Sequence, residues 1–207
     1  MAGTISTIEE VNKLKQAPVE GMEPLLAHRW SPRAFKETPV SPHDLRLILE
    51  AARWTASSSN EQPWRFLVGV KGSETHEKIF STLVGFNQMW AGKPGVLILG
   101  FAQAKDSKGN PNRYALYDLG QSVVSMVTQA TALGLMSHSM AGFDHEAARQ
   151  TFFLTDDHIL GAVIAIGHQD DPSAIANEQM REREVASRQR KPLSEIALTA
   201  LDTPLAI

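Results

Sequence analysis

At 207 residues, 43% of them apolar, the chain is long enough to bury roughly 70% of its unfolded surface around a sizeable core. Lys plus Arg number 20 against 23 Asp plus Glu, and the net charge of −3 excludes a global field for nucleic acid or anionic membrane, so any functional positive charge is local. The absence of cysteine excludes disulfides, thiolate metal sites and thiol redox chemistry; redox activity in this chain requires a bound cofactor. No apolar run approaches the roughly 20 residues of a spanning helix, and the Met-Ala-Gly-Thr start carries no basic-plus-apolar leader, so a cytoplasmic location without membrane contact is expected.

In chain order, Thr7 to Gln16 reads as a helix with Thr7 and Glu10 spaced as a capping box. Pro24 suits the first turn of a second helix. Ser41-Pro42-His43-Asp44 starts a third, whose Leu45, Ile48, Leu49 and Ala52 recur at spacings of three and four and predict a core face. Phe66, Val68 and Val70 alternate as a half-buried strand within Trp64 to Val70, and Val96 to Phe101 reads as a more continuously buried one. A helix from Glu74 and a loop from Gly85 to Gly92 lie between them.

The longest pattern runs from Arg113 to Leu133, with Leu116, Leu119, Val123, Met126, Val127, Ala130 and Leu133 on one face; about 21 residues at 1.5 Å each span roughly 30 Å, enough to cross a domain. Its apolar stripe predicts core packing, not a cofactor box. A helix from Asp144 to Phe153 and a buried strand from Ile159 to Gly167 follow. His168 to Arg190 is polar and charge-rich and cannot build its own core, after which Leu193, Ile196 and Leu198 restore apolar content.

Four polar segments carry the chemistry. Ser57-Ser58-Ser59-Asn60-Glu61-Gln62-Pro63-Trp64 places hydroxyls and carboxamides just before a strand, donors and acceptors suited to a polar heteroaromatic ring. His28-Arg29-Trp30-Ser31-Pro32-Arg33-Ala34-Phe35 sets two guanidiniums and a hydroxyl ahead of a helix. Gly134-Leu135-Met136-Ser137-His138-Ser139-Met140-Ala141-Gly142-Phe143-Asp144 and Arg188-Gln189-Arg190-Lys191-Pro192 complete the set. In this order and spacing, over about residues 24 to 198, the four resemble the flavin-binding signature of the nitroreductase family.

The resemblance implies an α+β fold, a mainly antiparallel sheet flanked by helices, in an intertwined homodimer with C-terminal strand exchange. One domain over 1–207 is expected, with an N-terminal helix in 1–20 and a 168–207 arm reaching the partner subunit. The implied cofactor is FMN, with NAD(P)H as transient reductant. Arg29, Arg188 and Arg190, assisted by Ser31, are implied at the phosphate, where guanidinium forks bind an anion through paired hydrogen bonds. Trp30 belongs to the same cofactor-binding element. Arg33 is implied at the pyrimidine edge of the flavin, where a fixed cation favours the reduced ring. Ser57, Ser58, Ser59 and Asn60 are implied to reach the ring of the other subunit, and Asn87 to contact the flavin. Near the reactive N5 stand the backbone amides of Ala141 and Gly142; many relatives carry Glu where this chain has Ala141, which leaves a backbone role there. In the glycine-bracketed Gly85 to Gly92 loop, Phe86 and Trp90 are candidate lid residues over the substrate slot.

Other chemistries find no support. No Gly-x-Gly-x-x-Gly follows a strand, there is no Gly-x-Ser-x-Gly or His-Glu-x-x-His, and His138, His145 and His168 lack metal-ligand spacing. The reading is an FMN-dependent NAD(P)H oxidoreductase that reduces nitroaromatic, quinone or enone acceptors by ping-pong hydride transfer. The alternatives are a flavin-binding or storage protein without turnover, or a specialised reductase or dehydrogenase of the same fold.

Overall fold

A computed structural model describes residues 7–206; residues 1–6 of the expected N-terminal segment lie outside them. Helix α1, Ile8–Lys15, opens on the expected capping box, Thr7 accepting from the Glu10 amide while the Glu10 carboxylate accepts from the Thr7 amide. Helix α2 covers Pro24–His28 and α3 covers Pro42–Arg53, capped by the Ser41 hydroxyl on the Asp44 amide at 3.0 Å. Strand β1, Trp64–Val70, leads to α4, Glu74–Thr82, and β2 is Val96–Gln103. The central helix α5, Ala115–Ala132, is followed by β3, Met136–Met140, α6, His145–Phe152, and β4, His158–Gly167. Helix α7, Glu178–Val185, and a two-stranded hairpin of β5, Leu198–Ala200, and β6, Thr203–Pro204, close the described chain.

The four long strands form one antiparallel sheet in the order β1-β2-β4-β3. Because side chains alternate across a strand, the register Ile98 opposite Ile164 puts Val96, Ile98, Ile164 and Ile166 on one face, packed on Ile48, Ala52, Met126 and Ala130 of α3 and α5. Leu97, Leu99, Val163 and Ala165 fill the other face against Ile79 of α4, Ala148 of α6, Phe35 and Trp90. The sheet is thus covered on both sides, which is why β2 and β4 read as continuous apolar runs rather than alternating ones. Gly69 is required where α4 crosses β1: a Cβ there would stand 2.5 Å from the His76 backbone. No helix among the described residues is long and apolar enough to cross a membrane.

The α+β class, the antiparallel sheet and its flanking helices agree with the expected fold. Two local readings do not. Leu116, expected on the core stripe of α5, is 50% exposed, because Ala115, Leu119, Ser122 and Met126 occupy the inward positions. Val70 at the end of edge strand β1 is exposed as well. Two elements were not anticipated: Met136 to Met140 pairs with β4, and the charged run before Arg188 contains α7, capped by Asn177 on the Met180 amide at 2.9 Å. Only Met180 and Glu184 of α7 are buried, one turn apart, so an almost wholly polar helix is anchored by one thioether and one carboxylate. In the arm, β5 pairs with β6 of the same chain through Asp202 at φ 62°, leaving Leu198, Leu201 and Leu205 exposed.

Candidate functional site

Arg29 follows α2 as its C-cap, and Arg188 and Arg190 follow α7, so two helix ends deliver three guanidiniums to one place. Arg188 Nη1 donates to the Arg29 carbonyl at 2.6 Å, and Arg29 Nη1 donates to Ser31 Oγ at 3.4 Å. The three arginines line a cleft of about 550 Å³ with an apolar wall of Pro18, Val19, Met22 and Leu26. Among the described residues none of them has a carboxylate within 4 Å. Burial, then the charges of Arg188 and Arg190, pull the Arg29 pKa below its ordinary value, and burial followed by Arg190 does the same to Arg188. Uncompensated like charges at partly buried positions are the electrostatic complement of a multivalent anion.

Arg33 lies four residues on, and it does have a counter-ion. Glu184 Oε1 accepts from the Arg33 and Ala34 amides at 2.9 and 3.2 Å, and Glu184 Oε2 stands 3.9 Å from Arg33 Nη1. Between these residues and the sheet, His138 of β3 bonds through Nδ1 to the Pro32 carbonyl at 2.8 Å. Burial lowers the His138 pKa to about 4, with Arg33 and Arg29 adding repulsion against the hydrogen bond's opposing effect; the ring is therefore neutral, and Nδ1–H is the donor to Pro32. Trp30 is buried, its Nε1–H donating to Asn12 Oδ1 at 2.8 Å and its ring 5.0 Å from Lys15 Nζ. Its indole anchors the arginine segment in the core, leaving the main chain as the part that faces the site.

The turn after β3 presents the other wall. Neither the Ala141 nor the Gly142 amide donates a hydrogen bond among the described residues, while the Gly142 carbonyl accepts from the Val84 amide at 3.2 Å and from Asn87 Nδ2 at 3.0 Å. Two consecutive free N–H groups form a ready acceptor-binding pair. In the segment 87–90, the Trp90 ring stacks on Phe35 at 5.8 Å and meets the His138 ring tilted by 37° at 4.7 Å. At 3% exposure Trp90 is a core residue, which corrects the expectation of a lid; the space between Phe35 and His138 fits an indole, and the ring fills it. Phe86 remains 44% exposed, with the Arg183 guanidinium 5.4 Å from its ring.

The Ser57 to Asn60 segment has a different address. Ser59, Asn60 and Gln62 all hold positive φ, 52°, 56° and 48°, a strained run that persists only where surroundings dictate it. Its anchors are the buried Asp118 of α5, whose Oδ2 accepts from the Ser58 amide at 3.2 Å, and the Ser57 hydroxyl, which accepts from the Gln62 amide at 3.0 Å. None of its hydrogen bonds among the described residues reaches Arg29, Arg33 or Gly142 of the same chain. The structure thus joins Arg29, Ser31, Arg188 and Arg190 around one cleft, holds Arg33 on Glu184 and Asn87 on Gly142, and gives Ser57, Ser58, Ser59 and Asn60 no hydrogen bond to any of these among the described residues.

A family model described as the nitroreductase family matches residues 26–88, the stretch that holds Arg29, Arg33 and the strained loop. A solved structure described as an oxidoreductase containing FMN is 33% identical, superposes with a TM-score of 0.82, and covers 89% of this chain and 94% of its own. The chain belongs to the nitroreductase family. A Mycolicibacterium smegmatis protein described only as an uncharacterised 15.4 kDa protein is 34% identical over 143 residues, 65% of this chain and 95% of that one. Among solved nitroreductase structures, one from Desulfovibrio desulfuricans in complex with FMN is 25% identical with a TM-score of 0.68, covering 86% of this chain and 97% of its own.

Within this nitroreductase chain, sequence reasoning missed Asp118, His138 and Glu184. Each is a buried or half-buried polar side chain that holds a site segment by its backbone. For Asp118 and Glu184 the sequence signal was a polar side chain at a helical spacing from apolar ones, as in Met180 and Glu184, and burial is what gives it meaning; His138 on strand β3 has no such signal.

Proposed function

We propose that this chain is an FMN-dependent oxidoreductase that takes reducing equivalents from NAD(P)H and passes them to small nitroaromatic, quinone or enone acceptors in alternating half-reactions. The observation that carries the reading is the convergence of Arg29, Arg188 and Arg190 on one cleft without a carboxylate partner among the described residues, an arrangement that a dianion such as the FMN phosphate would complement. It is supported by two FMN-containing relatives and by an Archaeoglobus fulgidus protein provisionally named an NADH dehydrogenase/NAD(P)H nitroreductase, 27% identical over 147 residues. Bound FMN would supply the hydride-accepting and hydride-donating centre.

The protein's own groups bind and orient. Arg29, Arg188, Arg190 and Ser31 hold the phosphate; Arg33 sets positive charge at the pyrimidine edge, where it favours the reduced ring. The free amides of Ala141 and Gly142 offer hydrogen bonds toward N5, a role that survives the alanine at position 141. The strained Ser57 to Asn60 loop serves the site of a partner subunit in a homodimer, consistent with its separation from its own chain's arginines. The test is direct: protein loaded with FMN, washed and heated, releases FMN into the supernatant, and the loaded protein oxidises NAD(P)H when a nitroaromatic or quinone is present. Absence of released FMN overturns the reading. Tight FMN without NAD(P)H oxidation leaves the alternative, a flavin-binding protein without turnover.

A further inference from the structure

Glu184 is the most deeply buried carboxylate of the wall, 1% exposed, on a helix that is otherwise almost wholly polar. Its carboxylate does three things at once. It accepts from two consecutive amides, Arg33 and Ala34, which fixes the backbone direction from which the Arg33 side chain leaves. It stands 3.9 Å from the Arg33 guanidinium and so cancels part of its charge. Through α7 it ties this segment to Arg188 and Arg190, a few residues beyond it in the chain.

Two cations and two amides face the carboxylate. Lys15 of α1 is buried too; its Nζ donates to the Arg183 and Ala186 carbonyls that flank Glu184, and its charge acts on the carboxylate together with that of Arg33. Burial pushes the Glu184 pKa up, and two amides and two cations oppose it. A helix that needed only anchoring would be served by a second apolar side chain like Met180, since a buried ion pair is weak evidence for stability.

We propose that Glu184 is a positioning residue which aims Arg33 at the flavin and limits the positive field that the ring feels, so that it sets how strongly the site prefers reduced over oxidised FMN. The inference rests on the FMN reading above. With the carboxylate gone, the full Arg33 charge acts on the ring, and a stronger cation at the pyrimidine edge favours the reduced form.

The experiment measures Kd for oxidised and for reduced FMN in wild type and in Glu184→Gln, which keeps the shape and removes the charge. The expected result is a ratio of oxidised to reduced Kd raised about tenfold, equivalent to about 30 mV in a two-electron midpoint potential. In an Arg33→Ala background the same substitution is expected to move the ratio less than twofold, because its lever is absent. If Glu184→Gln leaves Lys15 as an uncompensated buried charge and does not fold, Lys15→Met/Glu184→Gln removes both charges together and carries the same test with the same direction. A variant that melts earlier with an unmoved ratio makes Glu184 a structural anchor and overturns the proposal. Wild type that binds neither form of FMN overturns the proposed function and this role with it, an outcome separate from binding with an unmoved ratio.

Discussion

Asn87 Nδ2 lies 3.0 Å from the Gly142 carbonyl, and a methyl built on Gly142 would stand 2.7 Å from the same nitrogen. Glycine and carboxamide are therefore one unit. Gly142→Ala is expected to push Asn87 aside and lose its hydrogen bond, costing about 1 kcal/mol of stability. Asn87→Ala removes the same bond, so the double variant should be less destabilised than the sum of the singles. Urea unfolding of the four proteins checks it; additive losses would separate the two residues.

Arg190 is exposed and shares one cleft with Arg29 and Arg188. Arg190→Ala is expected to weaken FMN binding by roughly 1.5–3 kcal/mol, the range for a hydrogen bond to a charged group. Its removal also relieves repulsion in the ligand-free protein, so the apo melting temperature should hold or rise. Titration of FMN fluorescence and a thermal melt give both numbers, and an unchanged Kd would return Arg190 to the solvated surface.

His138 makes stability depend on pH in a stated direction. Its folded pKa of about 4 lies below the unfolded 6.5, so between these values the unfolded chain binds the extra proton. The stability is fully present above pH 6.5 and is lost as pH falls toward 4, by up to about 3 kcal/mol. His138→Gln keeps a donor toward Pro32 and removes the titration. Denaturant midpoints across this window should fall more steeply for wild type than for the variant; parallel curves would assign the acid sensitivity elsewhere.

Trp90 and Phe86 should part company. Truncating the buried indole, Trp90→Ala, is expected to cost about 3–5 kcal/mol and to lower activity alike for every acceptor. Because Trp90 Nε1 is buried without a partner among the described residues, Trp90→Phe is the milder change. Phe86→Ala should change stability by less than about 1 kcal/mol while altering relative kcat/KM among acceptors of different width. A uniform effect of Phe86→Ala across acceptors would remove it from specificity.

The strained Ser57 to Asn60 loop, apart from its own chain's arginines, predicts complementation. Arg29→Ala and Asn60→Ala subunits, each impaired alone, should regain activity near half of one dimer's worth when their chains exchange, since one of the two sites in a mixed dimer is then intact. Proven exchange without recovery would place both segments in one protomer's site.

How much of this was legible in the residues differs by element. The capping box at Thr7 and Glu10 and the Ser41 cap of α3 follow from local hydrogen bonding, which acts within a few residues, and appear as read, while α5 keeps its place but runs 18 residues rather than about 21. The arginine segments were legible because their chemistry is carried by residue type and order. By contrast, β3 is an edge strand of Met, Ser and His with little β propensity, and it exists because β4 offers it a row of hydrogen-bonding groups. The packing of Trp90 between Phe35 and His138, and the grip of Glu184 on amides about 150 residues earlier in the chain, depend on which surfaces meet when the layers close. A polar side chain has no marking in sequence for whether water or a buried amide will satisfy it. Local physics thus determined the helices from α1 to α6, two central strands and the arginine segments, while burial, which arises only from the packed whole, decided that Trp90 is core and that Asp118, His138 and Glu184 hold the backbone of these segments.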